Sequence, residues 1–263
     1  MSYQVFTGSG GLAGWTLLNK TASRQRALVA SDGAVTTATT NFRAKIGSVT
    51  SADGLLSDYR LLNVALRAFG LEGDIGNRAF MRKVLESDLS DKGSLANRLS
   101  NKSYQRLAEA FGFSAAGTSQ TQKPGFADKI TTQYVEREFE ARVGEGDQNL
   151  RLALNARREL ASMADRSSSN DTKWFEVLAS KPLRTVFAGA FGFSSAYGKL
   201  PIDRQLQEFT KAADKMFGTD DMKQFANPDN VEKLVRTFLA RSAIQVDTAS
   251  NRYSTALTLL SGG

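Results

Sequence analysis

The densest group of ionisable side chains in this chain lies between residues 135 and 158, where acidic and basic residues alternate. Carboxylates at such short spacing can act as general acids and bases or hold Mg²⁺. However, arginines stand between them, and Glu138 and Arg142 are four residues apart, a spacing that supports ion pairs on one helix. The pattern therefore favours a salt-bridged helix face and predicts neither a catalytic residue nor a metal site.

Two residue types that do much of protein chemistry are absent, because the 263 residues include no histidine and no cysteine. This composition excludes a Cys/His zinc site, a thiol nucleophile and an imidazole base, and it leaves only carboxylate, lysine or backbone chemistry. No phosphate-binding Walker loop is present, and the glycines from Gly8 to Gly14 lack the preceding strand that a dinucleotide fingerprint needs. We expect no cofactor and no enzymatic activity.

The net charge of +7 is spread along the chain and not gathered in one segment. Nucleic-acid-binding proteins usually concentrate lysine and arginine on one face, so we expect no nucleic-acid partner. No run of 18 or more apolar residues is present, so we expect no membrane span. Residues Met1 to Gly11 lack the features of a secretory signal. We expect cytoplasmic synthesis, with signal-peptide-independent export to a flagellum left open.

The apolar spacing is helical almost throughout, which predicts an all-α fold. One helix is expected to begin after Pro201 and to end at Gly218, and another to begin at Asn227 and Pro228. A long helix is expected after Pro124, with a further helix beyond Gly146.

Four glycines each follow a phenylalanine at the end of a helical pattern. A glycine in this place commonly adopts the left-handed conformation that closes a helix. The predicted helix caps are Gly70, Gly112, Gly192 and Gly218.

Two stretches of the chain share letters in the same order. Leu61, Val64, Ala68, Phe69 and Gly70 are repeated as Leu183, Val186, Ala190, Phe191 and Gly192, and Leu107 and Phe111 are echoed by Leu234 and Phe238. Repeated letters at a long period indicate duplicated structural units. The sequence therefore predicts two copies of a multi-helix unit joined by a charged central helix pair.

This interpretation divides the chain into five segments. They are an N-terminal helix with a flexible Ser/Thr-rich stretch (1–50), a first repeat (51–124), central charged helices (125–170), a second repeat (171–244) and a C-terminal helix (245–263). Residues 31–56 are rich in serine, threonine, alanine and glycine, a composition that is typical of a flexible or late-ordering linker.

Both ends of the chain carry narrow apolar stripes on polar helical patterns. The N-terminal stripe includes Leu12, Trp15 and Leu18, and the C-terminal one Val246, Tyr253 and Leu260. Such a stripe is found on ordinary helices that pack on a core and also on helices whose partner is another chain. On the second interpretation these are interaction residues, and residues 51–244 should stay folded alone.

Several stretches resemble a bacterial all-helical family that is known only as a domain of unknown function and is often encoded among flagellar genes. The resemblance covers most of the chain from about residue 50. It rests on residues 55–70 (LLSDYRLLNVALRAFG), 134–140 (YVEREFE), 144–155 (GEGDQNLRLALN), 174–192 and 200–218. It implies association with the flagellum, and it implies no functional residue.

Two functions of different class follow from these observations. The favoured one is a non-enzymatic, flagellum-associated structural or assembly protein that binds other flagellar subunits, or itself, through helical surfaces. The alternative is an enzyme that uses carboxylate or lysine chemistry in a cleft between the two repeats, a common place for sites in duplicated proteins.

Overall fold

The structure of the chain, a computed structural model, describes residues 2–115 and 117–261, with side chains described for residues 2–115, 117–194 and 196–244. Over this part the protein is all-α, as predicted, and contains no strand. The α-helices are α1 (Gly11–Ala30), α2 (Gly33–Lys45), α3 (Ala52–Ser57), α4 (Tyr59–Phe69), α5 (Arg78–Leu85), α6 (Leu95–Arg98), α7 (Ser103–Phe111), α8 (Phe126–Gly146), α9 (Gln148–Ala164), α10 (Asn170–Ala179), α11 (Lys181–Phe191), α12 (Ile202–Phe217) and α13 (Pro228–Ser261). None of the helices in the described part of the chain combines the length and the apolar character that crossing a bilayer requires.

The helices form two compact units. Unit 1 consists of Met1–Phe6 and Thr21–Arg142, and unit 2 consists of Thr7–Lys20 and Val143–Gly263. This division differs from the five consecutive segments expected from the sequence. Both α1 and α8 contribute residues to each unit, so the N-terminal helix and the charged central stretch are parts of the units themselves.

Unit 1 packs α2 to α7 and most of α8 around one apolar core. Helix α4 begins where the Asp58 carboxylate accepts hydrogen bonds from the backbone N–H groups of Arg60 and Leu61. A carboxylate at this position satisfies N–H groups that have no partner within the helix. The largest buried side chains of this core include Phe42, Ile46, Leu61, Leu62, Leu66, Phe69, Met81, Leu107, Phe111, Ile130 and Phe139.

The stretch predicted as a flexible linker is helical, and that prediction is wrong. Helix α2 is capped by the Asp32 carboxylate, which accepts a hydrogen bond of 3.1 Å from the Ala34 N–H group. Val35, Thr39 and Phe42 are buried at helical spacing along one side. Three inward residues are enough to hold a polar helix on a core, because the other face needs no apolar side chain.

Unit 2 packs α9 to α13 around a cluster of aromatic side chains. The Phe187 ring lies 5.3 Å from the Trp174 ring and 5.6 Å from the Phe225 ring, both in edge-to-face orientation. The Trp174 indole N–H donates a 2.9 Å hydrogen bond to the Asp220 carbonyl, so its one polar group is satisfied in the core. Other large buried residues of this unit are Leu154, Leu160, Leu183, Val186, Phe209, Leu234, Phe238 and Leu239.

The helix boundaries read from proline and glycine are confirmed. Helix α12 begins after Pro201 and ends before Gly218, and α13 begins at Pro228. The Asn227 side chain accepts a 3.0 Å hydrogen bond from the Asp229 N–H group, as expected at the start of a helix.

The helices that carry the repeated letters are alike in the first pair and unlike in the second pair. Helices α4 and α11 both contain 11 residues, both begin at a side-chain cap and both end at a left-handed glycine. The second echo lies on a nine-residue helix, α7, and on a helix of 34 residues, α13. The duplication therefore stays a prediction that rests mainly on the first pair of helices.

Candidate interaction sites

The N-terminal residues expected to contact a partner lie in the interior of unit 2. Trp15 and Leu18 are fully buried, whereas Leu12 is half-buried. The Trp15 indole N–H donates to both carboxylate oxygens of Glu232 at 3.0 Å, and the Arg157 guanidinium lies 4.1 Å from the centre of the ring. The prediction of an N-terminal interaction surface is therefore wrong, because this stripe is covered by α9 and α13 of the same unit.

The Asp147 carboxylate fixes the start of α1 within unit 2. One of its oxygens caps α9 by accepting from the N–H groups of Asn149 and Leu150, at 2.8 and 3.2 Å. The other oxygen accepts a 2.9 Å hydrogen bond from the Gly11 N–H group at the start of α1. An anion of the chain itself therefore occupies the position where the N-terminus of a helix could bind a phosphate.

Small residues are required where residues 7–14 pass close to the α8–α9 junction. A Cβ atom on Gly14 would lie 2.6 Å from the Thr7 carbonyl oxygen, and one on Gly146 would lie 2.8 Å from the Thr7 hydroxyl. Such distances are too short for a side chain, so glycine is needed for packing. Gly14, one of the glycines of the sequence from Gly8 to Gly14, thus serves the packing of unit 2.

The C-terminal stripe is on helix α13, but its side chains are not described. Leu239 is the last buried side chain among the described residues of α13, and Ile244 is 64% exposed. Val246, Tyr253 and Leu260 lie outside the residues whose side chains the structure describes, although the helix itself continues to Ser261.

The charged residues of α8 form ion pairs mainly with other elements of unit 1. Glu136 pairs with Arg26 of α1 at 2.5 Å, and Glu138 pairs with Arg67 of α4. The predicted pair of Glu138 with Arg142 is replaced, because Arg142 pairs with Asp32. The salt-bridged face predicted along one helix is therefore a set of contacts that holds several elements together.

The Asp32–Arg142 pair is the most enclosed of these contacts. One Arg142 nitrogen donates to the Asp32 carboxylate at 3.1 Å and to the Tyr3 carbonyl at 2.9 Å, and the Tyr3 N–H group donates to Asp32 at 2.8 Å. The hydrogen bond from Arg142 and the one from the Tyr3 backbone hold the pKa of Asp32 well below its usual range. Asp32 is thus ionised, caps α2 and ties residues 2–6 to unit 1.

The described residues contain no group of three or more histidine, cysteine, aspartate or glutamate side chains that could hold a metal ion. Burial raises the pKa of Tyr134 to about 12, and burial together with the Asp74 carboxylate does the same for Tyr104. Both phenols are therefore protonated near neutral pH and could not act there as bases.

The four glycines expected to close helices are in the left-handed conformation. Their φ angles are 71° for Gly70, 66° for Gly112, 78° for Gly192 and 81° for Gly218. An arginine of a later helix lies against two of them. A Cβ atom on Gly70 would lie 3.2 Å from the Arg137 guanidinium carbon, and one on Gly192 would collide with the Arg241 guanidinium.

Two of the cavities between described residues lie within unit 1. One, of about 510 Å³, lies between α4, α7, the loop that follows α7 and the start of α8, and its lining includes Arg106, Lys123 and Lys129. The other, of about 470 Å³, lies between α2 and α4 and is lined mainly by small or uncharged side chains such as Ala34, Thr37 and Tyr59.

Comparison with known families gives a match over most of the chain. A family model described as "Protein of unknown function (DUF1217)" matches residues 68–231. The chain belongs to this family. The resemblance to an uncharacterised helical family is thereby confirmed, and no curated protein matches the chain.

A solved structure extends the likeness beyond the segment that the DUF1217 model matches. The chain is similar to protein AGR_C_984 from Agrobacterium tumefaciens, known from an X-ray crystal structure, with 27% sequence identity and a TM-score of 0.76. The alignment covers 93% of this chain and 98% of that one, so the similarity includes regions before residue 68 or after residue 231.

Sequence reasoning missed the contacts that bury the N-terminal stripe of this DUF1217 chain. Trp15 and Glu232 are 217 residues apart in sequence, and Gly11 and Asp147 are 136 apart. Nothing in either local pattern indicates the distant partner. The one available signal was Asp147 itself, which follows a glycine and precedes a helical pattern, as a capping residue does.

Proposed function

We propose that this chain is a non-enzymatic, flagellum-associated protein that binds other protein subunits through a helical surface, and that the part of α13 after Leu239 provides the main contact. The flagellar association is supported by the resemblance to a family often encoded among flagellar genes. The observation that carries the choice of surface is that the described side chains of α13 cease to be buried after Leu239, while the helix continues to Ser261.

The sequence of this part of α13 suits a helix that packs on another chain. Val246, Ala249, Tyr253, Ala256 and Leu260 recur at a mean spacing close to 3.5 residues. That period keeps an apolar stripe in line along a partner helix, and the alanines allow close approach. At 1.5 Å per residue, the helix beyond Leu239 offers roughly 30 Å of such a contact surface.

This proposal is tested by complementing a deletion strain and measuring its swimming halo in soft agar. The full chain should restore swimming, whereas a Val246→Asp/Tyr253→Asp variant should not, because two charges would interrupt the apolar stripe. The matched control is Thr248→Asp/Thr255→Asp, which adds the same charges at the same spacing on another face of α13 and should restore swimming.

Three outcomes would contradict the proposal. A deletion strain that swims normally would remove the flagellar role. If the stripe variant and its control restored swimming equally, this surface would not be the contact. The alternative of an enzyme would be favoured by a different pair of results. The purified chain would turn over a substrate in a hydrolase screen, and the deletion strain would lose that activity and still swim.

A further inference from the structure

The larger of the two cavities described in unit 1 is lined by more basic than acidic side chains. Arg106 from α7, Lys123 from the following loop and Lys129 from α8 line it, and Glu109 is the single acidic residue of the lining. Among the residues whose side chains the structure describes (2–115, 117–194 and 196–244), no carboxylate forms an ion pair with Lys123 or Lys129. Both lysines therefore line a space of about 510 Å³ from exposed positions, without a described carboxylate as counter-ion.

The start of α8 adds positive potential to the same space. Gly125, with a φ of 79°, turns the chain into this 21-residue helix, and both Gly125 and Phe126 line the cavity. The first N–H groups of a helix lack partners within it and favour negative charge beyond its N-terminus. The Phe126 N–H group already donates to the Lys123 carbonyl at 3.1 Å, so the contribution comes from the N–H groups that follow it and from the helix dipole. The side chain of Asp128 in this first turn is paired with Arg43.

The lining of the cavity also includes a hydrogen-bond acceptor without a partner, on Gln133, and two aromatic rings. The side-chain oxygen of Gln133, one of the lining residues, is buried and has no hydrogen-bond partner. A buried polar atom without a partner is costly unless a bound molecule completes it. The rings of Phe69 and Phe126, both nearly buried, provide apolar surface for the uncharged part of such a molecule.

We propose that this cavity binds a small phosphate monoester. A phosphate dianion matches the excess of two positive charges, and ammonium groups together with helix N–H groups form a common phosphate-binding combination. Hydroxyl groups on the organic part would donate to Gln133 and Glu109. A cavity of this volume has the size of small-molecule sites and cannot enclose a nucleic acid strand or a folded partner. The inference does not depend on the proposed function.

Isothermal titration calorimetry of the full chain at low ionic strength tests this inference. The probes are ribose 5-phosphate, inorganic phosphate and ribose, which separate an ester site from a simple phosphate site and from a sugar site. We expect ribose 5-phosphate to bind more tightly than inorganic phosphate, and ribose not to bind. A Lys123→Ala/Lys129→Ala variant should bind ribose 5-phosphate at least about tenfold more weakly, since each lysine supplies a charge-assisted hydrogen bond.

The control is Lys83→Ala/Lys92→Ala, which removes the same charge from exposed positions of unit 1 that do not line the cavity. This variant should bind ribose 5-phosphate as the unaltered chain does. The inference is overturned if both double variants weaken binding equally, because the effect would then be one of net charge. It is also overturned if inorganic phosphate binds as tightly as the ester, or if neither binds at millimolar concentration.

Discussion

The two ends of this chain carry similar sequence patterns and have different surroundings. Each end is a polar helix with a narrow apolar stripe. At the N-terminus, Trp15 and Leu18 of the stripe are fully buried in unit 2. Toward the C-terminus, the described side chains of α13 are half-buried or exposed after Leu239, and Ile244 is 64% exposed.

The difference shows that a narrow stripe does not reveal whether its partner belongs to the same chain. The N-terminal stripe includes a tryptophan, whose indole N–H needs a hydrogen-bond acceptor when it is buried. Glu232 of the same unit provides that acceptor. The C-terminal stripe consists of valine, tyrosine, leucine and alanines, of which only the tyrosine hydroxyl would need a hydrogen-bond partner on a second chain.

The largest effect is expected from Trp15→Ala. Truncating a fully buried tryptophan leaves a cavity and should lower the free energy of unfolding by about 3 to 5 kcal/mol. The half-buried Glu232 carboxylate would also lose the indole donor. Equilibrium urea denaturation measures the change, with Leu12→Ala as a control on the same helix that should cost roughly 1 kcal/mol or less. A Trp15→Ala variant as stable as the control would place α1 outside the core.

The next effect is expected from Asp32→Asn, which alters the carboxylate that caps α2 and binds the Tyr3 N–H group before α1. Because the pKa of Asp32 is held low in the folded state, its contribution to stability is present above about pH 4 and is lost as the pH falls further. An Asp32→Asn variant should therefore be less stable than the unaltered chain from pH 5 to 8. The difference should shrink in denaturation series below pH 4, and a difference independent of pH would show that the ion pair does not stabilise the fold.

A smaller effect is expected at the glycines that close α4 and α11. Gly70→Ala and Gly192→Ala should each destabilise by about 1 kcal/mol, because alanine disfavours a positive φ. The control is Gly33→Ala at the start of α2, where nothing lies within 4 Å of the added Cβ atom and the φ is ordinary. That variant should be at least as stable as the unaltered chain, and a stabilised Gly192→Ala would contradict the assigned cap.

The smallest effect is expected from Ile244→Asp near the described end of α13. An exposed residue that contributes little to the core should change the free energy of unfolding by no more than about 0.5 kcal/mol. Chemical denaturation at low protein concentration, where self-association is weak, gives this value. A loss above 2 kcal/mol would mean that unit 2 covers this part of α13.

The sequence predicts the helices of this protein better than their partners. Pro201, Gly218 and Pro228 mark helix ends correctly, because their effects act on the local backbone. Among the residues shared by the two echoed stretches, Leu61, Val186 and Phe238 are buried and Phe191 is half-buried.

The errors arise where a polar composition is combined with a few inward side chains. Residues 33–45 read as a linker because their composition, rich in threonine and alanine, hides the spacing of Val35, Thr39 and Phe42. The cationic cavity is likewise invisible in the sequence, since Arg106, Lys123 and Lys129 are separated along the chain and meet only after α7 and α8 have folded.

The most direct test of this account compares two truncated chains by thermal unfolding at one low protein concentration. The chain of residues 1–244 should melt within a few degrees of the full chain, because the residues removed lie beyond the described buried part of α13. The chain of residues 21–263 should lose the cooperative unfolding of unit 2, since it lacks Trp15 and Leu18. The opposite result, a molten 1–244 and an intact 21–263, would contradict the assignment of the N-terminal stripe to the fold and the C-terminal stripe to a partner.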